Sequence, residues 1–297
     1  MKESVNYIFN QLKKEDGGFP QVAVTGGKGG TGKSTVAVLL GSFLSQKGKK
    51  VLLCDCDVEG PNDHLLLSQN LDKKEKTIFA SYPELIKEKC KKCGLCAKNC
   101  RSNAVFQPPG KYPVFLKELC SSCGACWIVC PHGAIRAKEE KVGEVFVNRV
   151  NDGFWLVTGV AESGIEETGP IVAETKSFAL EVAKKKQVDY VLLDTAPGIH
   201  CPVIAALMGA DLAIAVTEPT PMGAHDLRLL LDLCRKMEIP FEVFLNQADL
   251  GNKKDVLKVV GDFNSEIAKE IPHSRDLVRA YSKGEMGRFS AEILLNN

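Results

Sequence analysis

The sequence predicts an α/β protein: a doubly wound, mostly parallel sheet interrupted by a small inserted α+β domain. Three observations carry this. Short apolar, β-branched runs recur between helical stretches, the mark of a parallel sheet covered on both faces. A glycine-rich loop joins the first such run to the first long helix. From about Glu84 to about Glu140 the periodicity disappears, and cysteine, glycine and proline take over. The main domain is therefore expected over residues 1–83 and 141–297, with the insert at 84–140. A length of 297 residues suits about two domains, and 44% apolar residues are ample for a core.

In chain order, the first eighteen residues suit a small helix with Val5, Ile8 and Leu12 on one side, ahead of Asp16-Gly17-Gly18. It is either a packing helix or one that meets a membrane or partner. Gln21–Thr25 (QVAVT) is a buried strand, and Lys33–Gln46 a helix with Val36, Leu39, Leu40 and Phe43 at helical spacing. A second strand, 51–54, ends in the acidic pair Asp55 and Asp57. Further strands are expected at 190–193, 212–216 and 241–245.

Charge and hydropathy exclude some functions. With 38 Lys plus Arg against 37 Asp plus Glu, the net charge of +1 gives no global field for nucleic acid or an anionic membrane. No apolar run reaches the roughly 18 residues a membrane span needs, and MKESVNYIFN does not read as an export signal. A cytoplasmic protein, without nucleic acid or stable membrane insertion, is expected. Its twelve cysteines should then be reduced, and with eight of them between Cys90 and Cys130 they suggest metal ligation rather than disulfides.

Gly27-Lys28-Gly29-Gly30-Thr31-Gly32-Lys33-Ser34 fits G-x-x-x-x-G-K-[ST] between a strand and a helix, with Thr35 following. Glycines let backbone N–H groups and the helix N-terminus surround phosphate oxygens. Lys33 would reach the β and γ phosphates, and the Ser34 hydroxyl would bind Mg²⁺.

With Lys28 in place, this loop resembles the deviant Walker A loop of the MinD/ParA/nitrogenase iron protein class of P-loop NTPases. The resemblance implies ATP and Mg²⁺ as cofactors and two ATPs sandwiched in a dimer, either a homodimer or a heterodimer with a paralogue. It implies that Lys28 reaches phosphates of the facing subunit. The segment from Asp55 to Asn62 (DCDVEGPN) resembles switch I, and that from Asp194 to Gly198 (DTAPG) resembles switch II. By the same likeness Asp194 holds a water on Mg²⁺, and Asp57 orients or deprotonates the attacking water. The implied Mg²⁺ set is Ser34, Asp57 and Asp194, and the catalytic set Lys28, Lys33 and Asp57, with Asp55 a supporting acid. Asn246-Gln247-Ala248-Asp249 resembles the adenine-recognition turn, with Asn246 pairing with the base edge, and a purely structural turn is the other reading. The likeness covers residues 20–80 and 145–285.

The insert contains a repeat: CKKCGLCAKNC from Cys90 and CSSCGACWIVC from Cys120 share their spacing thirty residues apart. C-x₂-C-x₂-C-x₃-C is the bacterial ferredoxin spacing, in which the fourth cysteine of one run completes the other run's cluster. The resemblance implies one [4Fe–4S] cluster on Cys90, Cys93, Cys96 and Cys130, and another on Cys120, Cys123, Cys126 and Cys100. Pro131 follows Cys130 as in that pattern, whereas Arg101 takes the corresponding place after Cys100. Residues 84–140 carry ten Lys or Arg against five Asp or Glu. This excess either offsets cluster charge of about −2 per cubane or offers a face to an acidic partner. Cys54, Cys56 and Cys234 read as small buried hydrophobes. Cys201, seven residues after Asp194, reads either as a buried thiol at a helix start or as a ligand shared across a dimer axis.

Together the motifs resemble MinD-superfamily ATPases with an inserted ferredoxin domain, and two functions follow. In the first, ATP hydrolysis in a dimer gates electron transfer through the two clusters to a redox partner, because the insert lies between two nucleotide-sensing switches. In the second, the protein is an ATP-dependent carrier or scaffold for Fe–S or metallocofactor assembly that serves a client protein. This is similar to Mrp-type ATPases, although their late C-x-x-C pair is replaced here by single Cys201 and Cys234. A positional regulator would want a C-terminal amphipathic helix, for which the tail FSAEILLNN is short.

Overall fold

A computed structural model describes residues 5–12 and 18–289. The C-terminal segment weighed above as a membrane helix lies, beyond Phe289, outside the described residues. The chain forms two compact units. Unit 1 holds the described residues of Met1–Glu75, Val145–Val160 and Gly169–Asn297, and unit 2 holds Lys76–Glu144 and Ala161–Thr168.

In chain order the elements are α1 (Val5–Gln11), β1 (Gln21–Thr25), α2 (Lys33–Gln46), β2 (Val51–Asp55), α3 (Asp63–Leu66), β3 (Lys74–Leu85), α4 (Leu95–Lys98), β4 (Val105–Phe106), β5 (Val114–Phe115) and α5 (Ala125–Ile128). There follow β6 (Ile135–Asn151), β7 (Phe154–Ala161), α6 (Gly169–Lys186), β8 (Tyr190–Asp194), α7 (Cys201–Leu207), β9 (Leu212–Thr217), α8 (Pro221–Lys236), β10 (Phe241–Asn246), α9 (Lys254–Asp262), β11 (Ile267–Ile271) and α10 (Arg275–Lys283).

Unit 1 is built on parallel strands in the order β11-β10-β9-β1-β8-β2-β7. Strands β1, β2, β8, β9 and β10 are almost wholly buried, which is why they read as continuous apolar runs rather than alternating ones. Because these strands run in one direction, the loops that follow them gather at one edge of the sheet, where ligands of open α/β folds bind. Leu39, Leu40 and Phe43 of α2 pack with Leu53, Phe154 and Leu192 in the main core. The N-terminal helix is a packing helix: Val5, Ile8 and Phe9 join that core, and Phe9 meets Tyr190 edge to face at 5.2 Å. Phe9 takes the buried place expected of Leu12, which is only half-buried.

In unit 2 the thirty-residue repeat is a repeat of backbone conformation. Lys92 and Ser122 have φ of 58° and 55°, and Gly94 and Gly124 have φ of 78° and 79°. Asn103 and Gly133 both have φ of 55°, and α4 and α5 begin thirty residues apart. Val105 and Phe106 pair antiparallel with Phe115 and Val114. Cys96, Val105, Cys126 and Ile135 form the small core. The unit is wider than the 84–140 span read from composition, because β3 runs to Leu85 and β6 begins at Ile135. Exposed Lys74, Glu75, Lys138 and Glu139 interrupt the alternation that would have revealed those two strands.

Candidate functional site

The phosphate-loop residues sit between β1 and α2, at the carboxyl edge of the sheet. Two glycines show why side chains are excluded there. Gly32, at φ 90°, would place a Cβ 2.3 Å from the Asn246 amide nitrogen, and a Cβ on Gly27 would lie 2.5 Å from the Asp226 carbonyl oxygen. Gly29, Gly30, Gly32, Lys33, Ser34 and Thr35 line a cavity of about 350 Å³, closed by Asp57, Asn62 and Asn246 and by Pro272, His273 and Tyr281. That is within the usual range for a small-molecule site. The sequence missed the last three, since nothing in their spacing marks them.

Lys33 is 7% exposed, and its ammonium donates to the Lys28 carbonyl at 3.3 Å. Burial lowers its pKa, while the neighbouring Asp194 and Asp57 carboxylates raise it. Asp194, the last residue of β8, is buried, and burial pushes its carboxyl up to about 7 against the pull of the Ser34 hydroxyl and Lys33. Asp57 is half-buried and raised by burial, with Lys33 opposing. The structure thus brings Lys33, Ser34, Asp57 and Asp194 together. Asp194 presents two buried oxygens with no partner of hydrogen-bonding length, and with the Ser34 hydroxyl this all-oxygen set fits Mg²⁺.

Asp55 is wholly buried and is held by backbone amides: Oδ1 accepts from Asp57 at 3.1 Å, and Oδ2 from Asn62 at 3.0 Å and Asp63 at 3.1 Å. Its supporting role is therefore to shape the loop after β2. Asp63, which no motif marks, is also wholly buried, and neither of its oxygens has a partner. Burial and then repulsion from Asp194 raise the pKa values of both Asp55 and Asp63 well above the ordinary carboxylate range.

Asn246 ends β10 and lines the cavity, with its amide donating to the Thr31 carbonyl at 3.0 Å. That bond ties the phosphate loop to the end of β10. Lys28 does not line the cavity. Its ammonium meets the Glu218 carboxylate at 2.6 Å, and the same Glu218 oxygen accepts from the Thr220 hydroxyl at 3.0 Å. Thr220 caps α8 by accepting from the Gly223 amide at 2.9 Å.

In unit 2, Cys90, Cys93, Cys96 and Cys130 line one pocket, so three cysteines of the first run face the fourth of the second. Cys96, Cys100, Cys126 and Cys130 share the small core. Backbone amides of Lys92 and Ala134 donate to the sulfurs of Cys90 and Cys130 at 3.4 and 3.3 Å. Burial pushes the Cys100 thiol up, but hydrogen bonds from the Ser102 hydroxyl and the amides of Ala104, Val105 and Ser102 leave it below its ordinary value. Among the described residues, only Asp55, Asp63 and Asp194 bring three such donor atoms within 4.8 Å of one another. The cysteine sets are thus wider than a single tetrahedral zinc, whose sulfurs stand about 3.8 Å apart for Zn–S of about 2.3 Å. Cys54, Cys56 and Cys234 are buried, with the Cys54 and Cys56 sulfurs 3.6 Å apart. Cys201 is exposed at the start of α7, so the buried-thiol reading of it does not hold.

Comparison with known proteins agrees with this geometry. The CobQ/CobB/MinD/ParA nucleotide binding domain matches residues 22–286. The uncharacterized protein MJ0579 of Methanocaldococcus jannaschii is 33% identical over 264 residues, covering 89% of this chain and 90% of that one. The iron-sulfur cluster carrier protein of Pyrococcus horikoshii is 25% identical over 244 residues, covering 80% of this chain and 66% of that one. Among solved structures, the MinC:MinD cell division complex of Aquifex aeolicus superposes with a TM-score of 0.55 at 19% identity, covering 93% of this chain and 92% of the other. No helix among the described residues is long and apolar enough to cross a membrane. The chain belongs to the CobQ/CobB/MinD/ParA nucleotide-binding family.

Proposed function

We propose that this protein is an ATP-dependent iron–sulfur carrier in which unit 1 binds and hydrolyses ATP as a dimer, and unit 2 is a ferredoxin-like insert for two [4Fe–4S] clusters. The observation that carries it is the pocket lined by Cys90, Cys93, Cys96 and Cys130, which draws on both cysteine runs as the crossed spacing requires. The second set is Cys120, Cys123, Cys126 and Cys100. The printed name of the P. horikoshii relative favours cargo over electrons as what ATP moves.

In unit 1, Lys33 and the loop amides hold the phosphates, and Asp57 orients the attacking water and receives its proton. Ser34 and Asp194 would hold Mg²⁺, which would supply neutralisation of the phosphate charge. Lys28 leaves Glu218 for the nucleotide of the facing subunit, a second copy or a paralogue, where a cation stabilises charge developing in transfer. Asn246 supports the loop through Thr31, and its remaining amide functions are available to the adenine edge.

A second reading, favoured by the same cysteine pocket, is ATP-gated electron transfer to a redox partner with the clusters retained. Anaerobic incubation of cluster-loaded protein with a cluster-free acceptor protein and Mg-ATP separates the two. Iron and sulfide moving together to the acceptor, faster with ATP than with ADP, supports the carrier. Retention of about eight iron per chain while an acceptor is reduced establishes the second reading instead.

A further inference from the structure

We propose that the first cysteine run of unit 2 carries a docking face for an acidic protein partner, centred on Leu95 and Tyr112 and ringed by Lys91, Lys92 and Lys98. The proposal rests on the two-cluster reading of unit 2, and it holds whether the clusters are delivered or retained.

The internal repeat supplies its own control. Two four-cysteine clusters of one kind carry equal charge, so basic residues that only offset that charge belong beside both runs. They stand beside one. Lys91, Lys92, Lys98 and Arg101 correspond, thirty residues on, to Ser121, Ser122, Ile128 and Pro131. The backbone does not explain the change, since Lys92 and Ser122 share the same left-handed conformation. Residues 85–116 hold seven Lys or Arg against one Glu, whereas residues 117–140 hold three against three.

Ion pairing sharpens the asymmetry. Beside the second run, Lys117 and Lys138 both reach Glu140, at 2.6 and 3.2 Å, and Arg136 is held by Glu84. Among the described residues, none of the seven basic side chains in 85–116 pairs with a carboxylate. Lys91, Lys92 and Lys98 are exposed as well. Positive charge that the fold leaves unneutralised on one surface speeds and selects the docking of an acidic one.

The same surface carries apolar area. Lys91 and Leu95 both line the pocket of Cys90, Cys93, Cys96 and Cys130, and Leu95 is 37% exposed. Lys98 stands three residues further along α4, on the side of Leu95. The Lys92 ammonium lies 4.6 Å from the centre of the Tyr112 ring, itself 38% exposed. An apolar centre within a charged rim is the anatomy of a protein interface. Six of the seven basic residues are lysines, whereas phosphate recognition favours the bidentate fork of arginine, so the chemistry suits carboxylates on a protein better than a nucleic acid. Cys93 is exposed here, and a docked partner would meet the edge of the first cluster site.

The test uses the full chain, loaded with iron and sulfide anaerobically, and a fluorescein-labelled peptide in which Asp and Glu flank a Leu-Phe-Leu centre. Fluorescence anisotropy should show binding that weakens as salt rises. Lys91→Glu, Lys92→Glu and Lys98→Glu together should weaken it roughly tenfold or more with iron content unchanged. Lys117→Gln with Lys138→Gln, beside the second run, should leave it within about twofold. Equal weakening by the two sets overturns the face. If the reversal loses iron, the same three lysines changed to Gln decide: iron kept with weaker binding supports the face, and iron lost shows that the lysines offset cluster charge and overturns it. Tighter binding of oligothymidylate or of phosphatidylglycerol vesicles than of the peptide overturns the assignment to a protein. Wild-type chain that takes up no iron ends the cluster reading and the face with it, whereas iron-loaded chain that does not bind the peptide ends the face alone.

Discussion

The nucleotide site and the cysteine unit are organised on opposite principles. In unit 1 the site residues stand at the ends of buried strands, on a core of Leu39, Phe43, Leu53, Phe154 and Leu192 that exists without them. In unit 2 the proposed ligands are the core: two of its four buried members, Cys96 and Cys126, are cysteines, and Cys100 and Cys130 pack against them. Cysteine at those positions fills space, and in the proposed function it also binds. A small domain whose core is its ligand set owes its stability to what it binds, whereas a site carried on a large sheet can be altered with the fold intact.

The sharpest way to break this comparison is Lys28→Ala. With its charge removed, the fold and the iron content should stay, while ATP turnover falls by roughly 10³ if the lysine acts in the facing site as an arginine finger does. Stopped turnover measurements at several protein concentrations, with iron analysis alongside, check both halves. Loss of iron would show that the cysteine unit depends on the nucleotide site.

Lys33→Ala should weaken nucleotide binding by about 10- to 100-fold, the worth of charge-assisted bonds to phosphate. Calorimetric titration measures it. Because Lys33 also faces Asp194 and Asp57, its removal leaves buried acids less balanced, and unit 1 should melt somewhat lower.

Cys130→Ser tests the other side. It removes the one ligand that the second run gives to the pocket of Cys90, Cys93 and Cys96. Iron should fall from about eight to about four per chain, and amide exchange should accelerate in unit 2 while β1, β2 and β8 stay protected. Unchanged iron, or loss confined to the Cys120, Cys123 and Cys126 set, would show that the pairing is not crossed.

The same contrast explains what could be read from the chain. Gln21–Thr25 and Lys33–Gln46 were legible to the residue because a buried parallel strand and a helix buried on all faces from Val36 to Leu44 write long apolar runs into sequence. The phosphate loop and the cysteine repeat were legible because their chemistry demands rare residues at fixed spacing. Strand β6, IRAKEEKVGEVFVNRVN, was not, because its run of consecutive charged residues, most of them exposed, obscures a two-residue period. Asp63 was invisible for another reason. An aspartate after Asn62 looks like a surface turn residue, and only the fold shows it buried against Asp55 and Asp194.

Glu218 was equally unmarked, and it supports the smallest effect and the finest test. Its carboxylate holds Lys28 at 2.6 Å, with the two side chains 30% and 18% exposed, and is itself fixed by the Thr220 hydroxyl that caps α8. A partly exposed pair of this kind is worth about 1 kcal/mol or less. In Glu218→Gln the lysine keeps its charge but loses its partner, so the cost of moving it to a facing phosphate falls. ATP-driven dimerisation should then occur at protein concentrations up to about fivefold lower, as read by light scattering at fixed Mg-ATP. The direction of the effect matters more than its size. If Glu218→Gln instead weakens dimerisation, Glu218 is needed at the interface itself, and the contact with Lys28 is part of the assembled site rather than a resting place for the lysine.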